Sequence, residues 1–339
     1  MIENQRPLPE SLERDNRRRF LGKLCLSAGF PALSGPIRAA LADAPPAQSS
    51  NKPDAAMIPI VDTHVHLWDL KTFRLPWLAE EPALNRSYDW GDYRQAVEGQ
   101  PLDKAVYLEV DVEPSQQTQE ARAIVELCRS GKTAIKGAVI SGRPASEGFA
   151  AYLRQFHADP EIKGLRQVLH GPGTPAGYCL DPKFVAGIRR LGDLGLSYDI
   201  CIRPGELTDA ARLVKECPGT SFILDHCGNP EVFGGDLSAW KRDIAKVAAE
   251  ENVVGKVSGI IASAKGRKWT ADDLAPIVNH VLEVFGPDRV MFGGDWPVCT
   301  LGAPLGVWIK TLQQIVAERS EADRRKLFHD NAVRVYRLS

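Results

Sequence analysis

The amino-acid sequence predicts an α/β protein, a single (β/α)8 TIM barrel over residues 58–339. Three observations predict it. Short runs rich in β-branched residues alternate with longer amphipathic stretches, and the alternation completes eight times within the ~280 residues such a barrel needs. The runs are almost continuously apolar, as strands covered on both faces must be. No G-x-G-x-x-G follows an early run, which argues against a doubly wound open sheet, and no short repeat period points to a solenoid.

The strands expected, in chain order, are 58–63 (IPIVDT), 104–110 (KAVYLEV), 135–141 (IKGAVIS), 163–169 (KGLRQVL), 197–202 (SYDICI), 221–225 (SFILD), 253–258 (VVGKVS) and 290–294 (VMFGG). Between them, apolar residues recur at helical spacing over 115–128, 147–156, 182–194, 206–216, 237–250 and 271–285; 305–318 and 321–336 follow the last strand. Gly131, Gly195 and Gly286 come just after helical stretches, where a left-handed cap is common.

Composition narrows the function. The chain has 339 residues, 44% apolar and 25% charged, with a formal net charge of −1. These are globular values, and the hydrophobic content is too high for disorder. No basic surplus supports nucleic-acid binding, and no apolar run reaches the ~18 residues of a membrane span. The amino terminus differs from the rest. Arg17-Arg18-Arg19-Phe20-Leu21 is followed by a weakly apolar stretch and by Ala40-Leu41-Ala42, a small-x-small cleavage pattern. This order predicts a twin-arginine signal over 1–42, a Pro/Ala/Ser-rich linker over 43–57, the twin-arginine translocation machinery as a transient partner, and a periplasmic location. Seven cysteines without a C-x-x-C pair predict neither a disulfide scaffold nor a zinc ribbon.

In such a barrel the carboxyl ends of all strands meet at one mouth. The first expected strand runs into Asp62-Thr63-His64-Val65-His66, and a spacing of two puts both imidazoles on one side of an extended chain, which suits a metal or an acid–base pair. His226 follows the sixth strand. Asp295 follows the eighth and its two glycines, where a carboxylate serves as metal ligand or general base. Glu109, Arg166, His170, Arg203 and Lys256 lie on strands or at their ends and are expected to contact substrate; so are the aromatic residues Trp68 and Trp296, and Trp68 with Trp77 in the long first loop either walls the ligand or caps the barrel. An arginine there suits a carboxylate or a polarised carbonyl, because its planar fork binds oxygens in pairs.

Together, DTHVHLWD, GLRQVLH, LDHCGNP and MFGGDWPV resemble the amidohydrolase superfamily, and FHDNAVRVY resembles its closing helix. Within it the chain is similar to the amidohydrolase-related branch of sugar-lactone hydrolases, such as L-fuconolactonase and L-rhamnonolactonase, and 2-pyrone-4,6-dicarboxylate lactonase. The resemblance implies His64, His66, His226 and Asp295 as catalytic residues. It allows one divalent, zinc-like ion on His64, His66 and Asp295, or a metal-free site. Metal-rich members carry a histidine after the fifth strand, where this chain has Arg203, so a two-metal site is not expected. The implied reaction is hydrolysis of a sugar lactone or similar cyclic ester by water activated at Asp295. The alternatives are decarboxylation by an amidohydrolase-type lyase and a non-catalytic, solute-binding barrel.

Overall fold

The computed structural model describes residues 57–156, 158–171 and 173–339. The expected signal segment, and all of the expected linker except Met57, lie outside them.

Eight parallel strands pair in chain order, β1 (Ile60–Val65), β2 (Leu102–Leu108), β3 (Ile135–Ser141), β4 (Ile162–Val168), β5 (Ser197–Cys201), β6 (Ser221–Leu224), β7 (Val253–Val257) and β8 (Val290–Phe292). The seam between β8 and β1 is joined just beyond the short last strand. Asp295 N donates to His64 O at 2.8 Å, and His66 N donates to Trp296 O at 2.8 Å. The barrel is therefore nearly closed, as the sequence predicts. The first strand differs in extent: it runs to Val65 and includes His64, so the first imidazole is held by the sheet itself.

Helices cover the outside: α1 (Trp90–Ala96), α2 (Gln117–Arg129), α3 (Phe149–Arg154), α4 (Pro182–Asp193), α5 (Leu207–Glu216), α6 (Ser238–Ala248), α7 (Ala271–Phe285), α8 (Leu305–Ile315), α9 (Glu321–Arg325) and α10 (Asn331–Tyr336). The longer ones each bury one stripe against the barrel. In α5 the stripe is Leu207, Ala210, Leu213 and Val214, the i, i+3, i+6, i+7 spacing of one helix face. Two ends are fixed chemically. Asp181 accepts from the N–H groups of Lys183 and Phe184 ahead of Pro182 at the start of α4, and Thr270 and Asp273 form a reciprocal cap on α7. Gly131, Gly195 and Gly286 all have positive φ, as expected of caps. Two points differ from expectation. Helix α1 sits inside the long first loop, opened by an Asp89–Asp92 capping box. The single helix expected over 321–336 is split by a π turn at Lys326–Asp330.

Inside the barrel, Val61, Val106, Val139, Ile223 and Met291 form an apolar floor, which Tyr336 and Leu338 plug from below. The polar groups stand above this floor, toward the carboxyl ends of the strands.

Candidate active site

The seam builds the site. Asp62 Oδ1 accepts from the N–H groups of His64 at 3.0 Å and Gly294 at 2.7 Å, and Oδ2 accepts from the buried Tyr93 hydroxyl at 2.9 Å. These bonds tie the first strand to the residues that carry Asp295. Burial raises the Asp62 carboxyl to about 6, with the two backbone N–H groups pulling the other way. Both glycines before Asp295 are required by close approach. A Cβ on Gly293 would lie 2.8 Å from the Cβ of His64, and one on Gly294 would collide with the Asp62 carboxylate. Asp295 then takes φ 55°, and His226 and Cys227 take 53° and 55°. A left-handed conformation costs a non-glycine residue ~1–2 kcal/mol, and such strain gathers where a site fixes geometry. Gly259 lets the His226 ring lie against the chain after β7, since any Cβ there would strike the imidazole.

Asp295 Oδ1 lies 3.4 Å from His66 Nε2 and 3.6 Å from His64 Nε2. The tautomers follow from the partners. His66 Nδ1 faces the Leu108 carbonyl at 2.9 Å and donates to it, which turns Nε2 toward Asp295. His64 Nε2 faces Arg166 Nη1 at 3.2 Å, and a guanidinium can only donate. His64 Nε2 therefore accepts, and its Nδ1 lies 3.5 Å from Asp225 Oδ1 and 3.4 Å from Lys256 Nζ. Burial, with Lys256 and His226 adding to it and Asp225 opposing, pushes His64 well below its ordinary pKa and keeps it neutral. Asp295 Oδ1 and the Nε2 atoms of His64 and His66 thus converge, with Arg166 Nη1 at the His64 nitrogen. That donor set, two imidazoles and a carboxylate whose atoms lie within 4.8 Å of one another, fits a zinc-type cation. An ion held there would compete with Arg166 Nη1 for His64 Nε2.

Beneath the histidines lies a buried ionic layer. Lys256 Nζ is 2.8 Å from both Asp199 Oδ2 and Asp225 Oδ1, and Tyr336 donates to Asp199 Oδ2 at 3.2 Å. Burial alone would raise the Asp225 carboxyl, but Lys256 and His64 hold it well below the usual range. Arg166 is clamped by Glu109: Nε donates to Oε1 at 2.6 Å and Nη2 to the Glu109 carbonyl at 2.8 Å.

Above this layer is a cavity of about 730 Å³, whose wall includes His66, Arg166, His226 and Asp295, with His170 at the exposed rim and His64 just below. The volume is that of a small-molecule site. Five residues expected at the substrate are elsewhere. Lys256 is fully buried in the ionic layer because its strand position faces the barrel axis one level too deep. Glu109 is fully buried and spent on Arg166. Arg203 turns outward to Glu206 at 2.8 Å and to the carbonyls of Gly171 and Thr174, so it braces the loop after β4. Trp68 packs behind Trp77, with ring centroids 5.7 Å apart, and Trp296 packs on Tyr88 and Tyr93. Trp77 does line the cavity, as one of the two readings of the first loop has it, its Nε1 donating to Val110 O at 2.9 Å. Sequence reasoning missed Asp199, Asp225, Ser258 and Asp111. Ser258 Oγ lies 2.9 Å from His226 Nδ1, and Asp111 lines the cavity. Their available signal was strand parity, since Asp199 and Cys201, or Lys256 and Ser258, lie two apart and share a face.

Comparison with known proteins gives a consistent answer. A family model described as Amidohydrolase matches residues 61–338. An L-fucono-1,5-lactonase of Burkholderia multivorans is 27% identical over 290 residues, covering 82% of this chain and 96% of its own length. A 2-pyrone-4,6-dicarboxylate hydrolase of Comamonas testosteroni is 28% identical over 229 residues, covering 63% and 71%. Among solved structures, an amidohydrolase from Burkholderia multivorans with bound zinc superposes with a TM-score of 0.75 at 25% identity, covering 83% of this chain and 99% of that one.

Proposed function

We propose that this chain, which belongs to the amidohydrolase family, is a hydrolase that opens a sugar lactone or similar cyclic ester. The observation that carries the reading is the convergence of Asp295, His64, His66 and Arg166 at the floor of a cavity sized for a small ring. Oδ1 of Asp295 faces the histidines, which leaves Oδ2 to take a proton from water as the water oxygen bonds to the ring carbonyl carbon. Arg166 Nη1 and the neutral His226 stand by the cavity to stabilise the oxyanion. When the tetrahedral centre collapses, the ring C–O bond breaks and the proton held by Asp295 passes to the leaving alkoxide, giving a hydroxy acid. One zinc-like ion held by His64, His66 and Asp295 belongs to the proposal; bound there, it would polarise the carbonyl and acidify water.

The cations near the mouth bear on the choice of ring. Arg166, Arg203, Arg143 and Lys265 are each already paired, with Glu109, Glu206, Asp111 and Glu81. Arg166 is the one arginine lining the cavity among the described residues, and its Nη1 is assigned to the oxyanion, so a separate substrate carboxylate finds no further arginine there. This disfavours decarboxylation of an acid and favours a neutral ring. Export through the twin-arginine route to the periplasm is also proposed, on Arg17-Arg18 and the Ala40-Leu41-Ala42 pattern. The test is turnover of a lactone panel with a pH indicator, before and after chelation, with metal content measured on the same protein. No acid release from any lactone, by protein holding or lacking metal, refutes the reading.

A further inference from the structure

Asp111 is a non-glycine residue with φ 49° on the cavity wall. Its backbone N–H donates to Glu109 Oε2 at 2.7 Å, while the other oxygen of that carboxylate holds Arg166 at 2.6 Å. The position of Asp111 is thereby registered against the arginine at the cavity floor. Its own carboxylate is 38% exposed, and Oδ1 pairs with Arg143 Nη2 at 3.2 Å. Arg143 is fixed in turn by Ser141 Oγ and the Gly142 carbonyl, both at 3.0 Å. Oδ2 is uncommitted among the described residues. A partly exposed ion pair of this kind stabilises little, and glycine or asparagine adopts the left-handed backbone at no greater cost. The fold gains almost nothing from an aspartate here.

Resting on the lactonase reading above, we propose that Asp111 determines specificity: its free oxygen accepts a ring hydroxyl and its charge turns away a carboxylate. The same pairing that leaves Oδ2 free keeps Arg143 from serving an anionic substrate.

The test compares wild type, Asp111→Asn and Asp111→Gly on a neutral aldonolactone and on the lactone of the same ring whose terminal CH2OH is a carboxylate. Wild type is expected to favour the neutral lactone. Asp111→Asn keeps the backbone; its KM for the neutral lactone should rise about tenfold with kcat little changed, as for loss of a hydrogen bond to a charged group. Freed Arg143 should raise kcat/KM for the carboxylate-bearing lactone. Asp111→Gly should raise KM equally while raising Tm. Unchanged KM and unchanged preference in Asp111→Asn would overturn the assignment and leave Asp111 a turn residue. Binding of the two corresponding lactams reads the same choice without turnover. If no lactone were opened but wild type still preferred the neutral lactam and Asp111→Asn lost the preference, the role of Asp111 would stand and the hydrolase reading would fall. Equal lactam affinity in both proteins would overturn the assignment on its own.

Discussion

Replacing Asp295 by Asn tests the chemistry most directly. The change keeps size and shape, and asparagine accepts the left-handed backbone at φ 55° as readily as aspartate does. What it removes is the charge on a carboxylate that is 3% exposed and faces two histidines. His64 is neutral because burial pushes its pKa well down, so the change breaks no ion pair with that ring. The folding cost is accordingly small, under ~1 kcal/mol, which shifts Tm by no more than ~3 °C in a domain of this size. The chemical cost is large. Losing a general base slows a reaction ~10²–10⁴-fold, or ~2.7–5.5 kcal/mol of barrier. The amide Nδ2–H2 would also point a donor at the place where three acceptors meet, so metal content should drop. The assay is kcat at saturating lactone, with Tm and metal content from the same preparation. A folded Asp295→Asn protein with wild-type kcat refutes the mechanism; a protein that melts far lower yet turns over normally makes Asp295 a structural cap.

Three further outcomes follow from the geometry. Glu120 is buried, accepts from Tyr107 and Val110 N at 2.8 Å each, and is raised by burial, then by Glu109, to about 8 from an ordinary 4.5. Between these values the unfolded chain gives up a proton the folded one keeps, so stability falls as pH rises through this window; the Tm advantage of Glu120→Gln should grow from pH 5 to pH 9, and a constant difference would contradict it. Lys256→Met strands Asp199 and Asp225 in the barrel and should cost ~3–5 kcal/mol in urea unfolding, whereas intact stability with a raised KM would restore the substrate contact expected from sequence. Arg17→Lys with Arg18→Lys should leave the protein uncut in the cytoplasm, and normal processing of that variant removes the export proposal.

The barrel was legible because parallel strands buried on both faces write themselves as continuous apolar runs, and because every strand end must reach the same mouth. That rule was enough to bring His64, His66, His226 and Asp295 into one list although they come from three separate strands. It failed for Lys256 and Arg203 for two different reasons. Depth along the barrel axis is not written in the sequence, so a charged residue two positions before the mouth looks like one at it. A residue just past a strand, such as Arg203, takes its direction from the loop it meets, here the carbonyls after β4. Trp77 reaches the cavity and Trp68 does not, because the two differ in which face of one loop they occupy, and the sequence does not write that face. Helix α1 is barely two turns long, too short for periodicity to declare it.

The bonds of Asp62 to the two ends of the seam have a consequence for the life of the molecule. Asp62 and Gly294 are 232 positions apart, yet each needs the other before His64 and Asp295 can face one another. A ribosome making this chain produces seven strands, the histidines and the ionic layer without producing a site. Any product released before β8 lacks both Asp295 and the backbone that Asp62 must hold, so the histidines alone make no site.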